Sequence, residues 1–501
     1  MYLVSAAEMK RYDNYTIEEI GIPAMVLMER AALAVTREVC RECEKNEVTD
    51  RRQRIFVLAG MGNNGGDGLA VARLLSELGF FVEVKCVGDE AKASVQWKQQ
   101  YAILKYCDDV KMVDVPTRSD YDCLVDALFG VGLTREVTGQ YAAAIEEFNA
   151  LEGRKVAVDI PSGIDTDTGA VLGVAVKADV TLTFGFCKKG LALYPGCEYM
   201  GKLKIADIGI REKSFAGKEP EVFTYTGPIE GLLPKRNPAG NKGTFGKVLL
   251  VAGSVNMAGA AILSGKAIYK MGAGMVKLIS PEENRVIIQE TLPEGLYGTA
   301  KDLRASLDWA DVIVVGPGLG RGTDALACLQ SVIEDSDKPL VIDADGLNLL
   351  AENEMLQQKL SARGAGGRVI LLTPHVGELA RLAGKSLAEC KAGLESAAKS
   401  LARRFHAIVV AKDARTYVCA ENNPIYLNTS GNSGMATAGS GDVLAGICGA
   451  LLGQGMEGFA AACTAVYAHG KAGDAASHRL GEAGVLAGDL VEEIGKAWKS
   501  V

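Results

Sequence analysis

Residues 432–442 read Asn-Ser-Gly-Met-Ala-Thr-Ala-Gly-Ser-Gly-Asp and run straight into the apolar stretch Val443-Leu444-Ala445-Gly446. Small residues that open an apolar helix leave backbone N–H groups uncovered, and such groups favour phosphate oxygens. A carboxylate there would repel a resting phosphate. Asp442 therefore makes chemical sense beside a hydroxyl that must lose its proton, or beside a cation, while phosphoryl chemistry proceeds. The bland alternative is a glycine-rich turn with Asp442 as helix N-cap.

A second glycine loop, Gly60-Met61-Gly62-Asn63-Asn64-Gly65-Gly66-Asp67-Gly68, satisfies G-x-G-x-x-G literally and invites a dinucleotide oxidoreductase reading. Asp67 weakens that reading, because a fixed negative charge inside the cradle opposes a pyrophosphate. Two asparagines and an aspartate suit hydroxyls, amides and a cation better. Two neighbouring segments carry compatible chemistry. Asp126 leads into Ala127–Glu136, a glycine-bent loop with Arg135 available to anionic oxygens, and Asp159-Ile160-Pro161-Ser162-Gly163-Ile164-Asp165 offers a carboxylate and a hydroxyl. Either aspartate alone reads as a loop cap. Together with Asn64 they favour a ligand site, since parallel α/β sheets collect ligands beyond the carboxyl ends of their strands.

In the C-terminal half, Arg236–Lys247 does not spell G-x-x-x-x-G-K-[ST], which disfavours a P-loop NTPase. Four further loops follow apolar runs: Gly316-Pro317-Gly318-Leu319-Gly320, Asp343-Ala344-Asp345-Gly346, Thr373-Pro374-His375-Val376-Gly377-Glu378 and Lys412-Asp413-Ala414-Arg415-Thr416. His375 reads as a ligand contact rather than a core histidine. Lys412 and Arg415 are cations suited to nucleotide phosphate.

These loops need strands to hold them. Apolar runs at 54–59, 80–86, 123–126, 155–159 and 179–184 predict buried parallel strands, with helices over 69–78 and 141–151. A second series is predicted at 247–252, 275–279, 311–315, 340–343, 369–372 and 407–411. The chain has 501 residues, 48% hydrophobic but 6% aromatic, with 59 glycines. That length exceeds one ordinary core, and the glycine content fits strand-to-helix turns, so an α/β protein of two domains is expected. The polar, proline-rich stretch 211–238 places the boundary near residue 225. A net charge of −8, with no lysine or arginine cluster, argues against nucleic acid. No apolar run reaches membrane-spanning length and no secretory leader is visible, so a cytoplasmic location is expected, with no membrane partner. The 12 cysteines are scattered, and Cys40-x-x-Cys43 lacks the second pair a metal site needs. Apolar helices near 445–452 and 460–468 suit the core or a contact between copies, and a homo-oligomer is expected.

The N-N-G-G-D-G loop, the D-A-L-F-G-x-G-L loop and the D-I-P-S-G-I-D segment together resemble the NAD(P)H-hydrate epimerase domain over most of residues 1–215. The C-terminal loops resemble the ADP/ATP-dependent NAD(P)H-hydrate dehydratase domain, a relative of ribokinase-like small-molecule kinases, over roughly residues 230–500. The terminal loop departs from that family's alanine-glycine-threonine-glycine-aspartate only by Ser440 for threonine.

The resemblance implies a Rossmann-like three-layer sandwich at 1–225, acting as epimerase, and a ribokinase-like α/β domain at 226–501, acting as dehydratase. It implies that Asn63, Asn64, Gly65, Gly66 and Asp67 contact the hydrated dinucleotide, as do Gly130, Val131, Gly132, Leu133, Thr134, Arg135 and Glu136. Tyr141 would add to that wall. Asp159 would bind substrate and act as acid/base, and Asn64, Asp126 and Ser162 would hold K+. In the other half Ala260, Gly318, His375 and Asp442 would bind the hydrate, with Asp442 catalytic. Lys412, Asp413, Ala414, Arg415, Thr416 and Gly441 would receive ADP or ATP with Mg2+. The implied function is repair of hydrated NADH and NADPH by interconversion of their R and S forms and nucleotide-dependent dehydration of the S form, with ADP converted to AMP and phosphate. Three alternatives stay open: a vitamin or sugar-alcohol kinase with an accessory N-terminal domain, a nucleotide sensor, and a nicotinamide dehydrogenase.

Overall fold

A computed structural model describes residues 1–45 and 52–497. The chain forms two compact units, Met1–Val222 and Phe223–Val501.

The first unit is built on parallel strands β1 (Arg54–Ala59), β2 (Phe81–Cys86), β3 (Val110–Met112), β4 (Asp120–Ala127), β5 (Glu152–Val158), β6 (Val180–Phe184) and β7 (Lys202–Ala206). They lie in the order β3-β2-β1-β4-β5-β6-β7. The chain leaves β1 in one direction and β4 in the other, and loops that diverge at such a switch point open a crevice at the carboxyl ends of the strands. Helices α1 (Ala6–Glu18), α2 (Ala24–Glu44), α3 (Asn63–Glu77) and α4 (Gly139–Ala150) flank the sheet.

Alternation along the strands divides the core into two faces. Ile55, Val57, Cys123 and Val125 pack with Ala31, Val35 and Val39 of α2 and Leu69 and Leu75 of α3. Phe56, Leu58 and Leu124 pack with Ala144, Ile145 and Phe148 of α4. Each such buried aliphatic or aromatic side chain contributes roughly 1.5–3 kcal/mol. Two apolar faces explain why these strands read as continuous hydrophobic runs. Glycine sets the distance of α3 from the sheet: a Cβ at Gly68 would lie 2.5 Å from Ala127 Cβ, and one at Gly65 only 1.8 Å from Gly60 O.

The second unit holds β8 (Lys247–Val251), β9 (Met275–Ile279), β10 (Leu296–Gly298), β11 (Val312–Val315), β12 (Leu340–Ile342), β13 (Ile370–Leu372), β14 (Ile408–Ala411), β15 (Tyr417–Cys419) and β16 (Ile425–Leu427). Their order is β10-β9-β8-β11-β12-β13-β14-β15-β16. All pairings are parallel up to β14, and β14-β15-β16 are antiparallel. The relevant helices are α5 (Ala258–Lys270), α6 (Val376–Ala383), α7 (Ser440–Gly453) and α8 (Gly458–Leu480). Val248, Leu250, Val312 and Val314 form the core with α5, α7 and α8.

The stretches 445–452 and 460–468 bury within their own unit, the core alternative of the two left open. β3, β7, β10 and the β15–β16 hairpin were not anticipated. All twelve cysteines are free thiols; Cys40 and Cys43 both lie in α2. Among the described residues no helix is long and apolar enough to cross a membrane.

Candidate functional site

In the first unit the chain leaves β1 through Gly60–Gly62 and enters α3 at once. Asn63–Asp67, expected as a loop, form the first turn of that helix, with Gly62 as an extended N-cap. The N–H groups of Asn63, Asn64 and Gly65, ahead of the first helical bond from Gly66 N to Gly62 O, therefore supply the open donors that a loop was expected to supply. Gly130 is pressed against Asn64, since a Cβ there would lie 3.2 Å from Asn64 Oδ1. Asn64 Nδ2 is buried without a hydrogen-bond partner.

Asp126 ends β4 fully buried. Its Oδ1 accepts from Ser162 Oγ (2.6 Å) and Leu128 N (3.2 Å), and its Oδ2 accepts from Ser162 N (2.8 Å). Ser162 Oγ accepts in turn from Phe129 N at 2.8 Å. Burial pushes the Asp126 carboxyl up to about 6 against these bonds. Asp126 thus ties two strand-end loops together, as the cap reading expects, with no exposed surface of its own. Val131, Gly132, Thr134, Arg135 and Glu136 stand half-buried or exposed along the loop after β4. Leu133 departs from the expected wall, because its side chain is buried in the apolar cluster with Val137. Tyr141 packs on Phe129, ring centres 5.2 Å apart.

Asp159 lies one residue beyond β5 with φ +67°, a left-handed conformation that costs a non-glycine residue of order 1–3 kcal/mol. Its Oδ1 accepts from Thr183 Oγ1 (3.1 Å), Phe184 N (3.1 Å) and Lys188 Nζ (2.5 Å). Lys188 was invisible to sequence reasoning, because Cys-Lys-Lys-Gly reads as surface charge. Two more carboxyls bear on this pair. Asp67 is pushed well above the carboxylate range, first by burial, then by Asp159 and Asp13. Asp13, on α1, is raised by burial and by Asp159 while Lys188 opposes.

The second unit gathers its loops similarly. Gly318, at φ +56°, sits against the first turn of α5, where a Cβ would lie 2.7 Å from Ala260 Cβ. His375 caps α6: its Nδ1 accepts from Gly377 N (3.0 Å), and Glu378 Oε2 accepts from His375 N (2.9 Å). The histidine has a structural task as well as a half-exposed ring. Lys412 N donates to Pro374 O at 2.8 Å, bringing the next loop alongside. Asp413–Thr416 form the turn of the β14–β15 hairpin, where Ala414 N bonds Asp413 Oδ1 (2.9 Å) and Arg415 Nη1 reaches Thr429 O (3.2 Å).

Asp343, buried at the end of β12, accepts from Lys412 Nζ (2.8 Å) and Thr373 Oγ1 (2.7 Å) on one oxygen. Burial alone would lower the Lys412 ammonium, but Asp343, Glu378 and Asp442 outweigh it and hold the group above its ordinary value. Gly441 is the neighbour on the other side: a Cβ there would stand 3.2 Å from Lys412 Nζ. The helix α7 starts at Ser440, with Gly439 as N-cap at φ +89°. Asp442 is therefore its third residue and not its cap, which removes the bland alternative. Ser264 Oγ donates to Asp442 O at 2.8 Å. Burial, then Asp343, raises the Asp442 carboxyl to about 7 while Lys412 opposes. His469 of α8 backs the turn, its Nε2 3.3 Å from Ser440 Oγ. Burial holds its imidazole down to about 4, so it is neutral. Asp343 followed an apolar run in the sequence; His469, in a long apolar helix, gave no signal.

Residues 24–190 match the family described as YjeF-related protein N-terminus, and residues 248–496 the one described as NAD(P)H-hydrate dehydratase. The chain is 36% identical to the bifunctional NAD(P)H-hydrate repair enzyme Nnr of Moorella thermoacetica, over 98% of this chain and 96% of that protein. It is 36% identical to the Escherichia coli enzyme of the same name, over 97% and 92%. Among solved structures, the ADP/ATP-dependent NAD(P)H-hydrate dehydratase of Bacillus subtilis, co-crystallised with ATP/Mg2+, covers 54% of this chain and 95% of its own, with 27% identity and a TM-score of 0.48.

Proposed function

Because the chain belongs to the family of bifunctional NAD(P)H-hydrate repair enzymes, we propose that it carries both reactions, epimerisation in residues 1–225 and nucleotide-dependent dehydration in residues 226–501. The observation that carries the second assignment is Asp442, in the first turn of α7, sharing its surroundings with Lys412 and Asp343.

A hydroxyl on the ring carbon beside the nicotinamide nitrogen leaves poorly, and a phosphate leaves well. Asp442 takes the hydroxyl proton as that oxygen bonds the terminal phosphorus of the nucleotide. The bond from phosphorus to the bridging oxygen breaks, so ADP leaves as AMP. N–H groups of the Gly441 turn and the Lys412 ammonium stabilise the transferring phosphoryl. The nitrogen lone pair then expels phosphate, and loss of a proton from the adjacent ring carbon restores the dihydronicotinamide. Mg2+ fits as the nucleotide's counter-ion. Among the described residues no three His, Cys, Asp or Glu stand together as a metal cage, and Mg2+ is ordinarily held by one or two carboxylates plus phosphates. Asp345 and Glu378, both near enough to Asp442 to raise its carboxyl, are the carboxylates that would supply them.

In the first unit, epimerisation needs the carbon–oxygen bond to break with proton transfer to the departing hydroxide. Water then adds to the opposite face and gives up a proton. Asp159 is the base for that water, and Asp67, disposed to hold a proton, is the acid. The donors also fit K+, a large monovalent ion suited to oxygen ligands. Asp126 and Ser162 would provide two, and turning the amide of Asn64 would place Oδ1 where its orphaned Nδ2 stands.

Asp442→Asn tests the scheme. It should abolish recovery of dihydronicotinamide absorbance from the hydrate with ADP or ATP, yet spare hydrate binding and epimerisation. Unchanged recovery would reject Asp442 as the base.

A further inference from the structure

Lys188 has no exposed surface, and its ammonium makes two hydrogen bonds, to Asp159 Oδ1 at 2.5 Å and to Phe184 O at 2.9 Å. A buried cation is retained only where a partner compensates its lost hydration. Here the partner is itself held unusually. Asp159 Oδ1 carries three donors, from Thr183, Phe184 and Lys188, while Oδ2 carries none among the described residues. A turn cap needs neither a buried ammonium nor a left-handed backbone. An asymmetric carboxylate, with one oxygen saturated and the other free, is what a single directed proton transfer needs.

We infer that Lys188 is a positioning residue for epimerisation: it locks Oδ1 of Asp159 and so reserves Oδ2 for exchanging a proton with water or hydroxyl on the substrate's ring carbon. This rests on the reading of Asp159 as acid/base. The charges around the pair are few. Asp13 faces it from α1, Asp67 from α3, and Cys187 adjoins Lys188 in sequence. Lys188 is the sole cation among these groups. Without it three carboxyls, Asp13, Asp67 and Asp159, share one neighbourhood with no cation among them.

The test uses the full chain and follows R and S hydrate interconversion without nucleotide, with dehydration of the S hydrate as a check on the preparation. Lys188→Met should lower kcat for epimerisation about a hundredfold, the scale of loss expected for a misplaced acid/base group. KM should change little, and the acid limb of the pH profile should move to higher pH. Lys188→Arg should restore part of kcat and return the limb. Wild-type kcat and pH profile in Lys188→Met, with Asp159→Asn inactive, would overturn the positioning role alone. An active Asp159→Asn would overturn the reading beneath it. If Lys188→Met does not bind hydrate or is not recovered folded, Thr183→Val decides. It removes one donor to Oδ1 and keeps the ion pair, and should lower kcat about tenfold at unchanged KM, as loss of one hydrogen bond to a charged group implies; no loss overturns the proposal.

Discussion

Asp442 titrates near neutrality because burial and Asp343 disfavour its charge more than Lys412 favours it. A base works only when ionised, so dehydration should fall about tenfold per pH unit below about 7 and level off above it. Lys412→Met removes the opposing charge and should move that limb to higher pH, whereas Asp343→Asn should move it lower. Rate profiles of the two variants shifting in the same direction would contradict the assignment. Stability has the opposite sign. A carboxyl raised from 3.8 to about 7 holds its proton more tightly folded than unfolded. Stability from this group is therefore present at low pH and lost as pH rises through that window. Asp442→Asn should consequently unfold at higher denaturant concentration than the parent at pH 8, with the difference vanishing near pH 4. Asp159 and Asp126 were legible because an acid ending an apolar run is conspicuous, and Asp442 because an acid between a glycine loop and an apolar helix is equally so. Lys188 and His469 were not, because their partners, Asp159 and Ser440, lie 29 residues away in each case. Only folding shows that the lysine has no solvent.

At the scale of elements, the long strands were legible from their unbroken apolar runs, and their ends fell within a few residues of expectation. The omissions among the strands of the two sheets have local causes. β3 and β7 keep much of their surface exposed, so their sequences carry no burial pattern, and β10 spans three residues. The α3 start was hidden because glycines and asparagines argue for a loop, while a tight fit against Gly60 and Ala127 demands them in a helix. Small residues do similar work in α7, where a Cβ at Gly446 would meet Ser264 O at 2.5 Å and one at Gly449 would meet Val314 Cγ2 at 2.3 Å. Gly446→Val should force α5 from α7 and destabilise the second unit by about 1–3 kcal/mol, the usual cost of overpacking. Thermal unfolding measures that loss, and dehydration should fall with it, since Ser264 also fixes the Asp442 carbonyl.

At the scale of the molecule, two units with separate cores invite separate assays. Residues 1–222 should interconvert the two hydrates without nucleotide, and residues 223–501 should consume one of them with it. In the full chain, Asp159→Asn should turn the clearance of a mixed hydrate pool biphasic. The S form should disappear at the parental rate and the R form only as fast as it converts unaided. A single parental phase would show that Asp159 is dispensable. The turn at Asp159 reaches further. Glycine is most at ease in that backbone, and an apolar side chain is often better tolerated than a buried ion pair where Lys188 lies. Relaxed evolution, or laboratory enrichment for heat resistance, would thus tend to exchange the two together. A descendant carrying glycine and methionine at these positions is marked by two letters as a silent copy, robust in its fold and deaf to the R hydrate.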